Sequence, residues 1–410
     1  MQEADRPVAR NEGSELISSH DLLPEHVEAV FAEFLGRPAS PEDVRIWMAG
    51  GSLRALLDGV LGSEEYASRL AARDMGAGES FMNCWIPGLE RFSRPVGSIS
   101  PDGVAIVGRH GHLFLYGGSN DNLAMYRGQV AMASDWLEQW RVLGAERLNH
   151  AVAAGISLCC LVVPDKLAVY ADLFPADLDS GAPRPVMRLI EDGPFPLLYP
   201  HEVLCEARAV EDTYMLTDSH LTPHGNRLLA EATITALGAP PSLLDGVPHD
   251  QQPRLSSGDL GVHFTPPLVE VSQHLSASSA ATIVSDNWHE VISAGGHIGT
   301  RRVMRREDAP DQRTVVIFGD SYGFGDEAYP GLAWFLAQAF REVHFAWVPF
   351  GWDPQYVDRV GAELVVCQTA ERFIPRVPHR RVDVSGLADD VAHGSQALGL
   401  ERIFGDVQVD

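Results

Sequence analysis

The sequence predicts an α/β fold with a mostly parallel sheet and helices on both faces. Short apolar runs that suit buried strands alternate with longer segments of helical periodicity, an order typical of parallel sheets. The strand candidates are Val104–Val107, His112–Tyr116, Ile156–Val163, Thr314–Phe318, Val343–Val348 and Leu364–Gln368. A small all-helical domain is predicted to precede this fold.

The composition sets the broad class. The chain has 410 residues, of which 45% are hydrophobic and 21% charged, so it can bury the cores of two or three domains. The formal net charge of -25 argues against nucleic acid and anionic membranes as main partners. Its 5 cysteines match no zinc spacing and are interpreted as buried free thiols, which suits a reducing compartment.

The ends of the chain carry no recognisable export signal. The first residues, MQEADRPVARNEGSEL, lack the apolar core of a signal peptide, and no run approaches the roughly 18 apolar residues of a membrane span. The expectation is a protein that is not integral to a membrane. A cytoplasmic location is predicted, with the periplasm or secretion by a signal-independent route as the alternative.

The chain divides into four parts by composition. Residues 1–20 are a polar tail, and residues 21–75 have helical periodicity and form the predicted helical interaction domain. Residues 76–385 form the α/β domain, with an insertion at about 240–312 that is rich in Ser, Gly and Pro and is expected to pack near the site. Residues 386–410 are a second tail.

Helix signals support this division. In the helical domain, PEHVEAVFAEFLGRP ends at Gly36, and Ser40 is the predicted cap of the next helix. In the α/β domain, residues 129–153 are predicted to form one long amphipathic helix. Thr222 is the predicted cap of another helix, with Pro223 at its first position.

One stretch combines a buried strand with a reactive residue type. The apolar run Thr314–Phe318 is followed by Gly319-Asp320-Ser321, and a helical pattern resumes from about Ala328 to Phe340. A serine at the carboxyl end of a core strand lies at the edge where open α/β sheets place their sites. Backbone N–H groups of such a turn can bind a developing oxyanion. The same tripeptide also suits an ordinary turn.

A histidine and a carboxylate occur together about 100 residues earlier. A serine nucleophile needs a base, and the base needs a carboxylate that fixes its tautomer. Asp218-Ser219-His220 offers both on one loop before a helix. The alternatives are a solvated helix-entry loop, or a metal site of the pattern Asp-x-His-x3-His that includes His224. No third ligand cluster lies nearby in sequence.

Five segments in order resemble one protein family. They are GRHGHLFLYGGSNDN, VVPDKLAVYADLFP, TDSHLTPHGN, VVIFGDSY and VVCQTAERFIP. The order resembles the SGNH-like domain of alginate O-acetyltransferases and related exopolysaccharide acetylation proteins, over about Gly103 to Pro378. The Asp-x-His motif precedes the serine in this family, a permuted order compared with ordinary SGNH hydrolases. Residues 21–75 resemble a small helical domain of unknown function found in many bacterial proteins.

The resemblance implies a flavodoxin-like SGNH fold and a Ser-His-Asp triad. Ser321 would be the nucleophile, His220 the general base and Asp218 its orienting partner, with an acetyl-serine intermediate. The implied oxyanion donors are Ser321, Tyr322 and Asn120. The implied substrate-pocket residues are Lys166, Tyr170 and Arg372, for each of which a structural role is equally consistent with the sequence.

The expected function is a carbohydrate O-acetyltransferase in exopolysaccharide modification. The alternatives are a carbohydrate or acetyl esterase with the same triad, and a non-catalytic glycan-binding or scaffold protein. No cofactor and no metal are expected. The expected partners are a carbohydrate acceptor, an acetyl donor such as a membrane-bound acyl-transfer protein, and a protein that binds the helical domain. Leu221, where the family carries an aromatic residue, and the missing export signal depart from the family pattern.

Overall fold

The structure is a computed structural model that describes most of the chain between residues 94 and 387 and parts of the N-terminal region. The described residues are 24–31, 35, 37–49, 55–56, 59–60, 63–65, 94–118, 122–178, 182–193, 195–247, 251–265, 267–268, 270–275, 279–293, 296–325, 330–387 and 403. Asn120, an expected oxyanion donor, therefore lies outside the described residues, as do most of residues 1–75 and the C-terminal tail.

The strands of the described residues form one large sheet and two antiparallel strand pairs, β1 with β2 and β5 with β6. In chain order they are β1 Ala105–Val107, β2 Leu113–Leu115, β3 Ser157–Val163, β4 Leu197–Leu198, β5 Gln251–Ser256, β6 Glu270–Leu275, β7 Thr282–Asp286, β8 Arg301–Arg305, β9 Asp311–Gly319, β10 Phe340–Trp347 and β11 Leu364–Ala370. The large sheet has the order β4-β3-β11-β9-β10-β8-β7. Neighbours from β4 to β10 are parallel, and β8 and β7 extend the sheet as antiparallel strands.

The α-helices of the described residues lie before and between these strands. They are α1 Pro24–Val30, α2 Pro41–Met48, α3 Asn122–Tyr126, α4 Trp136–Ala154, α5 Lys166–Val169, α6 Pro185–Asp192, α7 His201–Ala207, α8 Pro223–Ala236, α9 Gly258–Gly261, α10 Trp288–Ser293, α11 Leu332–Ala339 and α12 Pro354–Val360. Among the residues that the structure describes, none of the helices is both long enough and apolar enough to cross a membrane.

The sheet is covered on both faces, as the alternation of its strands requires. In β9, Val315 and Ile317 point into a core that contains α8 and α11, while Val316 and Phe318 point into a second core that contains residues of α4 and α12. Successive side chains of a strand point to opposite faces, so an unbroken apolar strand needs a cover on each side. The predicted α/β fold class is confirmed.

Two helix boundaries differ from the prediction. The long helix begins at Trp136 instead of Gln129, because Gly128 lies at φ 66 and residues 129–135 follow as a turn-containing segment. The helix after Ser321 begins at Leu332, and Phe340 is already the first residue of β10, paired with Asp311 of β9. Periodicity could not reveal this ending because Phe340 is as apolar as the helix before it.

Other local predictions are confirmed. Ser40 caps α2, and its side chain accepts the N–H of Asp43. Thr222 caps α8, with Pro223 at the start of the helix. The predicted hairpin is present as β1 and β2, with Ile106 opposite Phe114.

Candidate active site

Three segments meet at the carboxyl edge of the sheet. β3, β11 and β9 are adjacent and parallel, so the residues that follow them lie at one edge. Asp165 and Lys166 follow β3, Asp320 and Ser321 follow β9, and Arg372 comes shortly after β11. Residues far apart in sequence are therefore brought together by strand order alone.

Asp320 fixes the turn that carries Ser321. Its carboxylate accepts the N–H of Ala370 at 2.6 Å, the side-chain amide of Gln368 at 2.8 Å and the N–H of Tyr322 at 3.1 Å. Its own N–H donates to Gln368 Oε1 at 2.9 Å. Because Asp320 is buried and fully hydrogen-bonded, Ser321 is held on a rigid turn while its own side chain stays half-buried.

The histidine loop presents a paired imidazole. Asp218 Oδ1 lies 2.7 Å from His220 Nδ1 and also accepts the backbone N–H of His220 at 2.8 Å. In the neutral ring, this contact places the proton on Nδ1 and leaves Nε2 as the acceptor. Nε2 is buried and has no hydrogen-bond partner among the described residues. The imidazole is in the orientation that a general base requires.

Tyr322 joins the serine turn to the histidine loop. Its hydroxyl donates to the carbonyl of Ser219 at 2.8 Å, and its ring lies 5.1 Å from the His220 ring, centroid to centroid. Within the described part of the chain, no hydrogen bond joins the Ser321 hydroxyl to His220. Catalytic hydrogen bonds are often long before substrate binds, and Tyr322 keeps the two loops in contact.

Arg372 and Asp165 support Tyr322 from below. Arg372 Nη1 donates to Asp165 Oδ1 at 2.6 Å and to the Tyr322 hydroxyl at 3.4 Å. The side chain of Arg372 is 8% exposed and that of Asp165 only 2%. This buried ion pair therefore holds the Tyr322 hydroxyl in place. The described hydrogen bonds of Arg372 are all with the protein interior.

Two buried charges hold the histidine loop. The Lys166 ammonium donates to the carbonyls of Met215, Leu216 and Asp218 at 2.5, 2.7 and 3.0 Å. On the other side, the Glu270 carboxylate accepts the N–H of Leu216 at 2.9 Å and the N–H and hydroxyl of Thr217, each at 2.7 Å. Burial lowers the pKa of Lys166 to about 8 and raises that of Glu270. We call Lys166 and Glu270 the loop clamp.

Asp259 is a second carboxylate beside His220. Its Oδ2 lies 3.5 Å from His220 Nδ1, and its carboxylate accepts the N–H and hydroxyl of Ser219 at 2.6 and 2.5 Å. Its backbone N–H donates to Asp218 Oδ2 at 3.0 Å. Gly258, at φ 55, allows this approach, because a Cβ there would lie 2.4 Å from the carbonyl oxygen of Thr217.

The carboxylates set the charge state of the imidazole. Burial lowers the pKa of His220, but the charge and hydrogen bond of Asp218, with a smaller effect of Asp259, outweigh burial and raise the pKa to about 9. Burial raises the pKa of Asp218, yet His220 and the N–H donors bring it well below its ordinary value. Burial and the charge of Asp218 raise the pKa of Asp259. The two carboxylates therefore favour the protonated form of the His220 ring over the neutral form.

The metal alternative has a partial geometric basis. Ligand atoms of Asp218, His220 and Asp259 lie within 4.8 Å of one another. His224 is not part of this group, since its Nδ1 lies 3.8 Å from Glu211. The Asp-x-His-x3-His pattern therefore does not converge on one point. The three remaining groups could hold a cation only by giving up the hydrogen bonds that order the loop.

The remaining predicted residues lie around the same edge. Tyr170 is buried, and its hydroxyl donates to Asp212 Oδ1 at 3.1 Å and accepts the N–H of Thr213 at 2.9 Å. The N–H of Tyr322 is occupied by Asp320, whereas the N–H of Ser321 has no hydrogen bond to any described residue. Of these two N–H groups, that of Ser321 is therefore the one without a partner among the described residues.

Asp259, Glu270 and the hydroxyl of Tyr322 are site features that sequence reasoning missed. Asp259 and Glu270 lie in the insertion, where acidic residues among Ser, Gly and Pro look like ordinary surface positions. The pair Gly258-Asp259 was the one local signal, and it is indistinguishable from a simple turn. Only the folded chain brings the insertion onto the histidine loop.

Comparison with known proteins gives structural similarities at low identity. No protein-family model and no curated protein matches the chain. The O-acetyltransferase domain of Pseudomonas putida AlgJ is 17% identical at a TM-score of 0.40, covering 72% of this chain and 99% of that domain. Bacillus cereus PatB1 with a sulfonyl adduct is 12% identical (TM-score 0.44; 69% and 98% covered), and Pseudomonas aeruginosa AlgX is 13% identical (TM-score 0.36; 70% and 66% covered). An O-acetyltransferase domain is thus among the solved structures to which this chain is similar.

Proposed function

We propose that this chain is an SGNH-type carbohydrate O-acetyltransferase in which Ser321 is the nucleophile, His220 the general base and Asp218 its orienting carboxylate. The observation that carries the proposal is the Asp218–His220 pair, 2.7 Å apart, whose Nε2 has no partner among the described residues. Tyr322 ties this pair to the turn of Ser321 through a 2.8 Å hydrogen bond. The family resemblance of the five sequence motifs supports acetyl as the transferred group and a carbohydrate as the acceptor.

In the first half-reaction, Ser321 Oγ attacks the carbonyl carbon of an acetyl donor. His220 Nε2 takes the hydroxyl proton as the Oγ–C bond forms, and the Asp218 carboxylate stabilises the imidazolium. The N–H of Ser321 hydrogen-bonds the oxyanion. His220 then gives its proton to the leaving group as the bond between the carbonyl carbon and the donor breaks, which leaves acetyl-serine.

In the second half-reaction, a sugar hydroxyl attacks the acetyl-serine carbonyl. His220 Nε2 now takes the proton of the sugar hydroxyl and returns it to Ser321 Oγ as the Oγ–C bond breaks. The product is the acetylated sugar and the free enzyme, so atoms and charges balance without a cofactor or a metal. An exopolysaccharide is the proposed acceptor. A membrane-bound acyl-transfer protein is the proposed donor, and the N-terminal helical domain is proposed to bind a protein partner.

The protonation state of His220 determines how the rate of the proposed reaction depends on pH. Only neutral imidazole can accept the serine proton, and with a pKa of about 9 roughly 1% of His220 is neutral at pH 7. The proposed reaction should therefore become faster as the pH rises towards 9. The strong Asp218 pair that raises this pKa is the same contact that fixes the tautomer.

The test follows the fate of the acetyl group. The purified chain is mixed with a chromogenic acetyl ester, with and without neutral oligosaccharides, and released acetate and acetylated sugar are quantified. A transferase gives acetylated sugar at the expense of acetate as sugar is added, and Ser321→Ala gives neither product. Acetate release that is indifferent to sugar would identify an esterase instead. Turnover by Ser321→Ala equal to that of the unaltered chain would reject the triad.

A further inference from the structure

Four aromatic rings stack at the carboxyl edge of the sheet. Trp288 lies 4.6 Å from Phe324 and 6.0 Å from Trp347, and His297 lies 4.7 Å from Trp347, measured between ring centroids. The planes of each of these pairs are within 24° of parallel. We call Trp288, His297, Phe324 and Trp347 the ring stack.

The ring stack adjoins the nucleophile. Phe324 belongs to the turn of Ser321, since its N–H donates to the carbonyl of Asp320 at 3.1 Å. Trp347 is the last residue of β10 and lies opposite Gly319, two residues before Ser321. Burial, and secondly the charge of His220, lower the pKa of His297, which is consistent with this proximity. An acetyl group on Ser321 would therefore have the ring stack beside it.

The ring stack differs from the tryptophans of the core. Trp136 and Trp140 are buried, and both indole N–H groups donate to the carbonyl of Ile374. In contrast, no member of the ring stack is buried, and His297 is exposed. Across the described residues, the indole N–H groups of Trp288 and Trp347 have no hydrogen-bond partner. The exposed parts of these rings, His297 above all, and the indole N–H donors are thus open to a ligand.

The ring stack is also firmly supported. The guanidinium of Arg302 lies 4.2 Å from the centroid of the Phe324 ring. Its Nη2 donates to Asp286 Oδ2 and its Nη1 to the carbonyl of Gly325, each at 2.8 Å. Arg302 is 4% exposed, so it belongs to the base beneath the rings. Rings that are held before a ligand arrives lose less freedom on binding.

We propose that the ring stack is the acceptor subsite and binds a neutral pyranose ring of an oligosaccharide, so that a hydroxyl of this or the next sugar reaches acetyl-Ser321. A pyranose has an apolar C–H face and a rim of hydroxyls, which match the exposed ring surface around His297 and the open N–H donors of the ring stack. The net charge of -25 favours a neutral sugar over an anionic one. This assignment rests on the proposed function for its role in transfer, but sugar binding itself can be measured without catalysis.

The experiment measures binding in a chain that cannot turn over. In the Ser321→Ala background, calorimetric titration determines Kd for neutral pentasaccharides of glucose, mannose, xylose and N-acetylglucosamine. Trp288→Ala and His297→Ala should each raise the Kd of the sugar that binds best, roughly tenfold or more for Trp288. Trp288→Phe, which keeps a ring, should restore most of the affinity. His289→Ala, on the same helix but outside the ring stack, is the matched control.

The outcomes separate this inference from the proposed function. Absence of binding to all four sugars would overturn the ring stack as a neutral-sugar subsite, and so would equal Kd values for Trp288→Ala, His297→Ala and His289→Ala. His297 is exposed, so its variant gives an answer even where Trp288→Ala does not fold. If the sugar binds through the ring stack while the unaltered chain forms no acyl-enzyme, the proposed function fails and the subsite stands.

Discussion

The serine turn and the histidine loop face each other across Tyr322 but are held in different ways. The turn is fixed by hydrogen bonds between Asp320, which follows β9, and Gln368 of the adjacent strand β11. The loop is fixed by side chains from distant segments, the loop clamp of Lys166 and Glu270 together with Asp259. The nucleophile is thus placed by the sheet, and the base by buried charges that a single substitution can remove.

The largest effect should come from Asp218→Asn. The asparagine cannot stabilise the imidazolium or enforce the tautomer, so the rate should fall on the order of a thousandfold to ten-thousandfold. Asp102→Asn is the matched control, because Asp102 Oδ2 lies 2.6 Å from His263 Nδ1 in an exposed Asp–His pair outside the site. The measurement is steady-state turnover of a chromogenic acetyl ester. Equal rates for the two variants would contradict the role of Asp218.

The loop clamp should matter for stability more than any surface ion pair. Lys166→Met leaves the buried carbonyls of Met215 and Asp218 without a donor, because only the Leu216 carbonyl has a second one, the Leu113 N–H at 2.8 Å. It also removes the positive charge near the buried Glu270 carboxylate, so the free energy of unfolding should drop by about 3–5 kcal/mol. Arg381→Met is the control, since the Arg381 side chain in the Arg381–Glu146 pair is 67% exposed. Urea denaturation measures both variants. A Lys166→Met loss no larger than that of the control would show that the clamp does not hold the loop.

The smallest effect should be a shift in the pH profile of Asp259→Asn. In the unaltered chain the rate should fall as pH falls through about 9, because protonated His220 cannot accept the serine proton. An ordinary histidine would place this fall near pH 6.5. Since Asp259 contributes to the raised pKa of His220, Asp259→Asn should move the inflection towards the ordinary value. A flat rate between pH 6 and 10 would exclude His220 as the base.

The difference between the serine turn and the histidine loop also explains which parts of the site could be predicted from the sequence. The strand Thr314–Phe318 and the exposed serine after it follow from local pattern, because apolar runs and turn residues are neighbours in the chain. The caps at Ser40 and Thr222 were equally local. By contrast, Asp259 and Glu270 gain their roles only when the insertion packs on the histidine loop, more than 35 positions away. Apart from the turn-like pair Gly258-Asp259, nothing in the sequence marks these two carboxylates.

For Lys166, the sequence indicated that the residue is notable but did not indicate its role. The motif Val-Pro-x-Lys-x-x-x-Tyr marked Lys166 and Tyr170 as notable. Neither the spacing nor the residue types distinguish contact with substrate from support of the histidine loop. The structure places the Lys166 ammonium against three carbonyls and the Tyr170 hydroxyl against Asp212 and Thr213. Both side chains are buried, so the motif corresponds to the support of the loop.

In the proposed mechanism, Ser321 and His220 act as one nucleophilic unit whose two loops are joined through Tyr322. Intact-mass spectrometry after rapid mixing with a chromogenic acetyl ester, followed by peptide mapping, tests it directly. We expect one acetyl adduct on the peptide that contains Ser321 in the unaltered chain, and none in Ser321→Ala or His220→Ala. An adduct on another residue, or an adduct that forms as fast in His220→Ala as in the unaltered chain, would contradict it.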